Sequence, residues 1–448
     1  MDIQILILAL FIAGYLAITL EHTLRVDKLI PALGMMALLW AIIALFHLDV
    51  FNVNPELKQL VPTHLEEILL HHLGKTAEIL IFLIGAMTIV EIIDYFDGFA
   101  TIKGFIRTKS KVRLLWIFSV LGFILSAIID NLTATIVLVT ILQKVIRDRN
   151  TRLWFAGLIV IAANAGGAWS PIGDVTTTML WIANKVTTWQ LVEHTFIPSV
   201  VCMVVPVLVA SRLKVFSGEI EMDLEEEANP SKFGARMLYL GLGSIIFVPV
   251  FKTVTHLPPY IGMMLSLAVV ATFAEIYSNR LFALSSVGEE GEASDAAAHH
   301  SPVHKSLGRV EMPSILFFLG ILMAVAALES LGMLFNFAID LDRAIPNKDI
   351  VVGILGVGSA IIDNVPLVAA SIGMFSEPLD HPLWHFIAYS AGTGGSILII
   401  GSAAGVVAMG MEKINFFWYL KKIGFLALLG FVAGGVAFML MRDLVLNV

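Results

Sequence analysis

Apolar runs of about 20 residues recur from one end of this chain to the other, and this feature constrains the fold more than any other. A helix of that length crosses a bilayer, whereas the single core of a soluble domain stops growing at roughly 250 to 300 residues. The chain has 448 residues, of which 58% are hydrophobic and 14% charged, against about 25% charged in a soluble domain. The sequence therefore predicts an all-α polytopic membrane protein.

The charge balance and the single cysteine exclude several kinds of partner and cofactor. The chain carries 28 basic and 36 acidic residues, a formal net charge of -8, and lacks the basic excess that a nucleic-acid binder uses to neutralise phosphates. Its one cysteine, Cys202, excludes an internal disulfide and an iron–sulfur cluster, and we expect it to be a small apolar helix residue. We expect the chain to be embedded in the lipid bilayer. We expect it to have no nucleic-acid partner and no cofactor.

Basic loops orient the first half of the chain, because short loops rich in Lys and Arg tend to face the cytoplasm. The densest such loop runs from Lys103 to Arg113, and a second runs from Lys144 to Arg152. Between them are two apolar limbs, Leu114 to Ile129 and Leu132 to Leu142, each shorter than a comfortable crossing. Basic residues on both flanks predict a re-entrant hairpin that turns near Asp130 and opens to the cytoplasm.

Hydropathy over the whole chain predicts about ten full crossings, with both termini on the outer side. The run from Ile3 to Leu20 has no basic residues before it and no cleavage pattern after it, which favours a retained span over a signal peptide. The charged stretch from Ser278 to Arg309 predicts a cytoplasmic linker. The predicted divisions are N-terminal helices over 1–74, a first repeat over 75–215, linking helices over 216–277, the linker over 278–309 and a second repeat over 310–448.

One six-residue motif occurs twice in the chain. The letters Ser-Ala-Ile-Ile-Asp-Asn run from Ser126 to Asn131 and again from Ser359 to Asn364. Downstream of each motif a glycine-rich interruption predicts a broken helix, near 164–174 in the first copy and near 390–402 in the second. Gly166 and Gly167 in the first interruption correspond to Gly394 and Gly395 in the second.

The loops around the second copy carry charges of the other sign. The stretch from Glu377 to Asp380 is acidic, so the second hairpin is expected to enter from outside. Paired repeats of opposite orientation with interrupted apolar segments are typical of a secondary transporter whose site lies near the bilayer midplane. Broken backbone within a bilayer is tolerated where it is buried in protein or lines a wet cavity, so the interruptions predict the place of the site.

Oxygen-bearing side chains at the tips and interruptions are the candidate cation ligands, because hard monovalent cations prefer oxygen. A carboxylate within the membrane is costly unless it faces a cavity or a partner, which favours a functional role for Asp130 and Asp363. The ion-binding candidates are Asp130, Asn131, Thr133, Ser126, Asp363, Asn364, Ser359, Asn164, Ser170, Asp174, Thr176, Thr393, Ser396 and Ser402, with Na+ expected at Asp130, Asn131, Asp363 and Asn364. The alternative for the tip asparagines, for the hydroxyls of Ser126, Thr133 and Ser359, and for Asp174 is that they cap helices.

Three further acids lie on or near the helices that precede the hairpins. Glu91, Asp94 and Glu329 fall within or close to apolar stretches, where a buried acid with a raised pKa relays protons. The alternative is that they are salt-bridged or lie at the lipid interface.

The segments Ser126 to Thr135, Asn164 to Thr178, Ser359 to Asn364 and Gly392 to Ser402 resemble those of NhaD-type sodium/proton antiporters of the ion transporter superfamily. The resemblance implies exchange of Na+ or Li+ for H+, a cell inner-membrane location, and a homodimer with a moving transport domain. Related carboxylate carriers have Ser-Asn-Thr at their hairpin tips. Here an aspartate precedes each asparagine, and Pro366 occupies the place that corresponds to Thr133, which favours a cation site.

The leading hypothesis is exchange by competition, in which a deprotonated tip aspartate binds Na+ and protonation releases it. Activity is then expected to rise with pH, because protons occupy the site at low pH. One alternative is a sodium-coupled carrier of organic anions such as di- or tricarboxylates, although neither tip nor interruption carries a basic residue. A membrane enzyme is disfavoured, since no histidine lies in a predicted midplane segment to activate a nucleophile.

Overall fold

The computed structural model describes residues 3–19, 25–54, 59–103, 108–220, 232–285, 301–361 and 364–443. Most of these residues are helical, and the protein is a helical, multi-span membrane protein, as the apolar runs predict. Cys202 is buried in a helix, as expected.

The helices are numbered here in chain order. The first half contains α1 (Ile3–Thr19), α2 (Leu29–Leu45), α3 (Leu65–Tyr95), α4 (Ala100–Lys103), α5 (Lys111–Ile129), α6 (Asn131–Val145), α7 (Arg149–Gly167), α8 (Val175–Ile182) and α9 (Thr188–Ser211). The second half contains α10 (Lys232–Thr255), α11 (Pro259–Ser285), α12 (Pro302–Leu307), α13 (Met312–Ser330), α14 (Met333–Ala344), α15 (Lys348–Gly358), α16 (Asn364–Met374), α17 (Pro382–Gly394), α18 (Ala403–Glu412), α19 (Phe416–Tyr419) and α20 (Phe425–Met441). A π-helical turn, Leu420–Gly424, joins α19 to α20.

Two short strands depart from the predicted all-α class. Strand β1 (Val50–Asn54) pairs antiparallel with β2 (Gln59–Thr63), with Val50 opposite Thr63. Val50 at the start of β1 is buried, whereas Asn52 is exposed. A five-residue segment carries too weak a pattern to stand out beside the long apolar runs, so neither strand was predicted from the sequence.

Seven helices of the described chain are long and apolar enough to cross a membrane, judged by length and composition. They are α3, α5, α9, α10, α11, α13 and the continuous stretch Phe416–Met441. Five other apolar helices, α1, α2, α6, α16 and α18, fall in the range of 10–17 residues. The expected count of about ten crossings stays a prediction.

Two predicted boundaries are wrong. The first hairpin limb, expected over Leu114–Ile129, begins at Lys111, because Lys and Arg favour helix and extend their charged ends to the interface. Residues 278–285, expected to belong to the linker, are helical, because α11 continues to Ser285. Helix α12 occupies part of the far end of the predicted linker, where Ser301 caps the first turn by accepting from His304 N at 3.3 Å. Residues 286–300 lie outside the described ranges.

The chain divides into two compact units. The first comprises Met1–Ile79, Ser110–Ile220 and Pro313–Val448, and so contains both hairpin motifs and both interrupted helices. The second comprises Leu80–Lys109 and Glu221–Met312. The predicted division into five segments stays a prediction.

Within the first unit each copy of the repeat has two helices followed by an interrupted helix. In the first copy α5 and α6 are followed by α7 and α8, which are separated by residues 168–174. In the second copy α15 and α16 are followed by α17 and α18, separated by residues 395–402. The first interruption starts after Gly167, so Asn164 is still helical.

Matching glycines allow the interrupted helix of each copy to approach its hairpin closely. A Cβ atom on Gly166 would overlap the carbonyl oxygen of Phe123 on α5, and one on Gly394 would overlap the carbonyl oxygen of Gly356 on α15. Close backbone approach of this kind is available only to glycine. The repeated glycines therefore place both interrupted helices against their hairpins.

Candidate cation-binding site

The first hairpin tip turns at Asp130, because α5 ends at Ile129 and α6 begins at Asn131. Its φ of 85° and ψ of 158° define a conformation that favours glycine and is held in place by the surrounding structure. Its Oδ1 accepts from the backbone N–H of Thr133 at 2.7 Å, and its Oδ2 accepts from the Thr133 hydroxyl at 2.9 Å. Asp130 therefore caps α6, and the Thr133 hydroxyl is bonded to it.

The neighbouring asparagine connects the first tip to the second copy. Asn131 Nδ2 donates to Asn164 Oδ1 at 2.9 Å. Asn164 Nδ2 in turn donates to Ser396 Oγ and to Ser402 Oγ, each at 2.9 Å. All four residues are buried. We call Asn131, Asn164, Ser396 and Ser402 the amide–hydroxyl group; it joins four of the predicted ligands across the two copies.

The second tip makes a corresponding contact with the first interrupted helix. Asn364 Nδ2 donates to Asp174 Oδ2 at 3.1 Å, and Thr176 Oγ1 donates to the same oxygen at 2.6 Å. All three residues are buried. Although Asp174 directly precedes α8, its side chain accepts no capping bond from that helix in the described chain. We call Asp174, Thr176 and Asn364 the carboxylate group; its geometry does not support the cap alternative for Asp174.

The two motif serines hold the hairpins to the interrupted helices. Ser126 Oγ donates to the carbonyl oxygen of Ala163 at 2.5 Å. Ser359 Oγ donates to that of Ala391 at 3.1 Å and to that of Gly356 at 2.9 Å. Both serines are fully buried. The structure thus gives these two predicted ligands a packing contact to backbone.

Two other candidates, Ser170 and Thr393, lie apart from the two groups. Ser170 Oγ accepts from the backbone N–H of Ile172 at 3.4 Å, and Thr393 Oγ1 donates to the carbonyl oxygen of Tyr389 at 2.6 Å, so both bond to neighbouring backbone. Asp363 lies outside the described residues, and its predicted role stays a prediction.

The predicted proton relays fall in different places. Asp94 Oδ2 lies 3.9 Å from Arg309 Nη1, with 59% of its side chain exposed, which matches the salt-bridged alternative. Glu91 is half-buried one turn away on α3. Both belong to the second unit. Glu329 on α13 belongs to the first unit and lies beside α16, where a Cβ atom on Gly373 would approach its Oε2 to 3.2 Å.

Sequence reasoning missed a glycine that makes room for the carboxylate group. When the two copies are aligned through Gly166 and Gly394, Gly392 stands at the place of Asn164. A Cβ atom on Gly392 would lie 3.7 Å from Asp174 Oδ2 and 3.1 Å from Ala168 Cβ. A side chain as large as asparagine would therefore crowd the site. Aligning the copies position by position would have shown this exchange.

A buried histidine pair was also missed. His385 is part of α17 and fully buried. Its ring stacks on that of His194 on α9, with 4.3 Å between centroids. Its Nε2 lies 3.6 Å from Asp380 Oδ1.

The two groups together offer one carboxylate, three amides and three hydroxyls. Carboxylate and neutral oxygens are the ligands that hard cations prefer. Asp174 is the one carboxylate among the seven side chains, and a carboxylate is a ligand type that binds either a cation or a proton. None of the seven side chains is basic, so the groups offer no cation to bind an organic anion.

Comparisons with known proteins show to which family this chain belongs. A family model described as a citrate transporter (CitMHS) matches residues 5–383. Sodium/proton antiporter 1 of Arabidopsis thaliana is 41% identical over 441 residues, which cover 97% of this chain and 72% of the plant protein. The Na+/H+ antiporter NhaD of Alkalimonas amylolytica is 32% identical over 431 residues, covering 92% of this chain and 86% of that protein.

A second bacterial relative extends the match to nearly the whole chain. The Na+/H+ antiporter NhaD of Vibrio cholerae is 31% identical over 452 aligned positions, which cover 97% of this chain and 91% of that protein. These similarities confirm the resemblance to NhaD-type sodium/proton antiporters. The chain therefore belongs to the citrate transporter (CitMHS) family and to its NhaD-type sodium/proton antiporters.

Proposed function

We propose that the chain is a secondary active transporter that exchanges Na+ or Li+ for H+. The names of its antiporter relatives support this function. The observation that carries it is the pair of polar groups built from both copies, above all the Asn164 amide, which bonds to the first tip and to the second interrupted helix. Na+, Li+ and H+ are the cargo, and the mechanism uses no cofactor.

The proposed mechanism is competition between a cation and a proton. Deprotonated Asp174, or a tip aspartate, binds Na+ together with amide and hydroxyl oxygens, and protonation of the carboxylate releases the cation. An unpaired carboxylate is costly to move through the membrane. The transport domain therefore moves when its site holds Na+ or H+ and does not move when the site is empty. Exchange follows because the transporter crosses in one direction with Na+ bound and returns in the other direction with H+ bound.

The membrane arrangement is part of the same proposal. The two copies of the repeat are inserted with opposite orientations, each hairpin is re-entrant, and about ten full crossings leave both termini on the outer side. We place the protein in the cell inner membrane as a homodimer. The reversed loop charges around the second hairpin support the opposite orientations.

The second candidate function is sodium-coupled transport of an organic anion. The description of the family model as a citrate transporter favours testing it. In such a carrier half-helix N-termini face the carboxylates of the substrate. The absence of basic side chains from both polar groups favours the antiporter instead.

Cation-induced proton movement in proteoliposomes tests the proposal. An acid-inside gradient is imposed, and NaCl, LiCl, KCl or sodium succinate is added to vesicles holding the wild type, Asn164→Ala or Asn415→Ala. NaCl or LiCl is expected to dissipate the gradient, and Asn164→Ala to raise the apparent KM for Na+ about tenfold, because one lost charge-assisted ligand costs about 1.4 kcal/mol. Asn415 is the matched control, since it is exposed and caps α19 by accepting from Phe417 N at 3.0 Å.

The competing outcome is distinct. If only sodium succinate produces a response, and radiolabelled succinate accumulates in the vesicles, the antiporter reading fails and the anion carrier replaces it. If Asn164→Ala and Asn415→Ala raise the KM for Na+ equally, the polar groups are not the site of Na+ binding.

A further inference from the structure

Helix α18 has a site residue at one end and a buried acid at the other. Ser402, which precedes it, caps the helix by accepting from Gly405 N at 3.2 Å and belongs to the amide–hydroxyl group. Glu412 is its last residue and is only 3% exposed. The ten residues of α18 span about 15 Å.

The buried acid is held by an arginine from the first copy. Arg152 Nε lies 3.2 Å from both Oε1 and Oε2 of Glu412. The guanidinium is itself fixed, because its Nη1 donates to the carbonyl oxygens of Ile146 at 3.0 Å and Arg147 at 2.9 Å. Side-chain exposure is 20% for Arg152 and 2% for Glu412, so this ion pair is largely removed from water.

Two more side chains of the first copy hold the backbone at the same end of α18. Arg149 Nη2 donates to the carbonyl oxygen of Lys413 at 3.2 Å, and Gln143 Nε2 donates to that of Met411 at 3.3 Å. The last carbonyls of a helix have no partner within the helix, and a cation there is favoured by the helix dipole. The end of α18 is thus anchored in both side chain and backbone.

Both ends of α18 are attached to the same helix of the other copy. Asn164 and Arg152 lie on α7, twelve residues and about 18 Å apart, which matches the span from Ser402 to Glu412. The contacts Asn164–Ser402 and Arg152–Glu412 therefore fix the position of α18 along α7. A shift of α18 that broke the second contact would also move the Ser402 hydroxyl away from the Asn164 amide.

Stability alone does not account for this pair. A buried ion pair is often no more stabilising than apolar residues of the same size, because both charges lose their hydration. Its geometry does restrict the helix to one register. We propose that Arg152 and Glu412 are positioning residues, which set α18 on α7 and so place Ser402 Oγ for cation binding; the inference rests on the proposed antiport function.

A double-mutant cycle tests the proposal in the full-length protein. Glu412→Gln, Arg152→Gln and the double variant are reconstituted, and the apparent KM for Na+ and the maximal rate per folded protein are measured separately. Each single change is expected to raise KM about fivefold, with the double variant no worse than the worse single, because the two residues act through one contact. The maximal rate per folded protein is expected to stay within about twofold.

A binding measurement separates this inference from the function on which it rests. The melting temperature in detergent is recorded against NaCl, with choline chloride as reference, so that Na+ binding is measured without transport. If the wild type binds Na+ but exchanges no protons, the proposed antiport function is contradicted. If the Arg152 and Glu412 variants need a different NaCl concentration for half of the stabilisation, the positioning role is still supported. The control is Arg343→Gln with Asp340→Asn, an ion pair with 77% and 76% exposed side chains, for which no shift is expected.

Three results would overturn the proposal: a KM that is unchanged while only the amount of folded protein falls, a double variant that shows the product of the two single effects, or a control pair that shifts equally. If Glu412→Gln yields no folded protein, Arg149→Gln decides the question. That change removes only bonds to the carbonyls at the end of α18, and a rise in KM of about twofold supports the proposal while no rise overturns it.

Discussion

In the first copy Gly166 lies against the Phe123 carbonyl, and in the second Gly394 lies against the Gly356 carbonyl, at positions that correspond within the repeat. Each motif serine likewise bonds to the interrupted helix of its own copy. The contacts that pack a hairpin against its interrupted helix are therefore preserved in both copies, because they depend on backbone shape and small side chains.

The polar groups differ between the copies. Asp174 corresponds to Ser402, yet Ser402 caps its helix while Asp174 bonds to the opposite tip. Asn164 corresponds to Gly392, which leaves space beside Asp174. The packing contacts are therefore alike in the two copies, whereas the polar side chains differ: among the described residues of the two polar groups, Asp174 of the first copy is the one carboxylate.

The largest loss of exchange rate is expected from removing the charge of Asp174, which has Ser402 as its counterpart in the second copy. Asp174→Asn keeps a hydrogen-bonding side chain of nearly the same shape but abolishes the negative charge, and we expect Na+-driven proton movement to fall about 100-fold, equivalent to about 2.7 kcal/mol. Ser402→Ala, at the corresponding position, is expected to cost no more than about tenfold. Rates in proteoliposomes check both, and equal losses would mean that the copies are chemically equivalent.

The shared packing is expected to respond equally in both copies. Gly166→Ala and Gly394→Ala each force a Cβ atom into a backbone carbonyl, and we expect each to lower the free energy of unfolding by about 1–3 kcal/mol. Gly353→Ala on α15 is the control, because a Cβ atom there meets nothing within 4 Å. Thermal unfolding in detergent measures all three, and loss of stability in only one copy would contradict the shared scaffold.

A smaller effect is expected at the first tip, and the chain contains a matched control for it. Asp148 caps α7 as Asp130 caps α6, accepting from Thr151 N at 2.8 Å and from the Thr151 hydroxyl at 2.6 Å. We expect Asp130→Asn to lower the exchange rate about tenfold and Asp148→Asn less than twofold, because Asp130 belongs to the proposed cation site and Asp148 does not. Similar losses of exchange rate in both variants would mean that Asp130 acts as a helix cap and not in cation binding.

The pH dependence of the control follows from its pKa. The hydroxyl and the backbone N–H of Thr151 hold the pKa of Asp148 below its usual range. Its contribution to stability is therefore complete above the pKa of the unfolded chain and is lost only as the pH falls through the lower, folded value. Between about pH 6 and 9 Asp148→Asn is expected to leave the pH profile of exchange unchanged.

Most members of the two polar groups were predictable as candidates because their residue types and spacing repeat. The motif ending at Asn131 and Asn364 gave both tip asparagines, and the glycine-rich interruptions led to Asn164, Asp174, Ser396 and Ser402. The roles of the serines at 126 and 359 were not predictable, since a hydroxyl serves a cation or a backbone carbonyl equally well. The strands β1 and β2 were missed because a five-residue pattern is weak beside long apolar runs.

The sequence by itself determined the membrane class, the repeat and the oxygen-rich composition of the site, because hydropathy, identity and residue type are local properties of the chain. Only the tertiary structure decided which residues meet: Asn364 with Asp174 across 190 positions, Asn164 with Ser402 across 238, and Arg152 with Glu412 across 260. Those pairings depend on how the two copies pack, and no local pattern specifies the side chain that a buried polar atom will find across such distances.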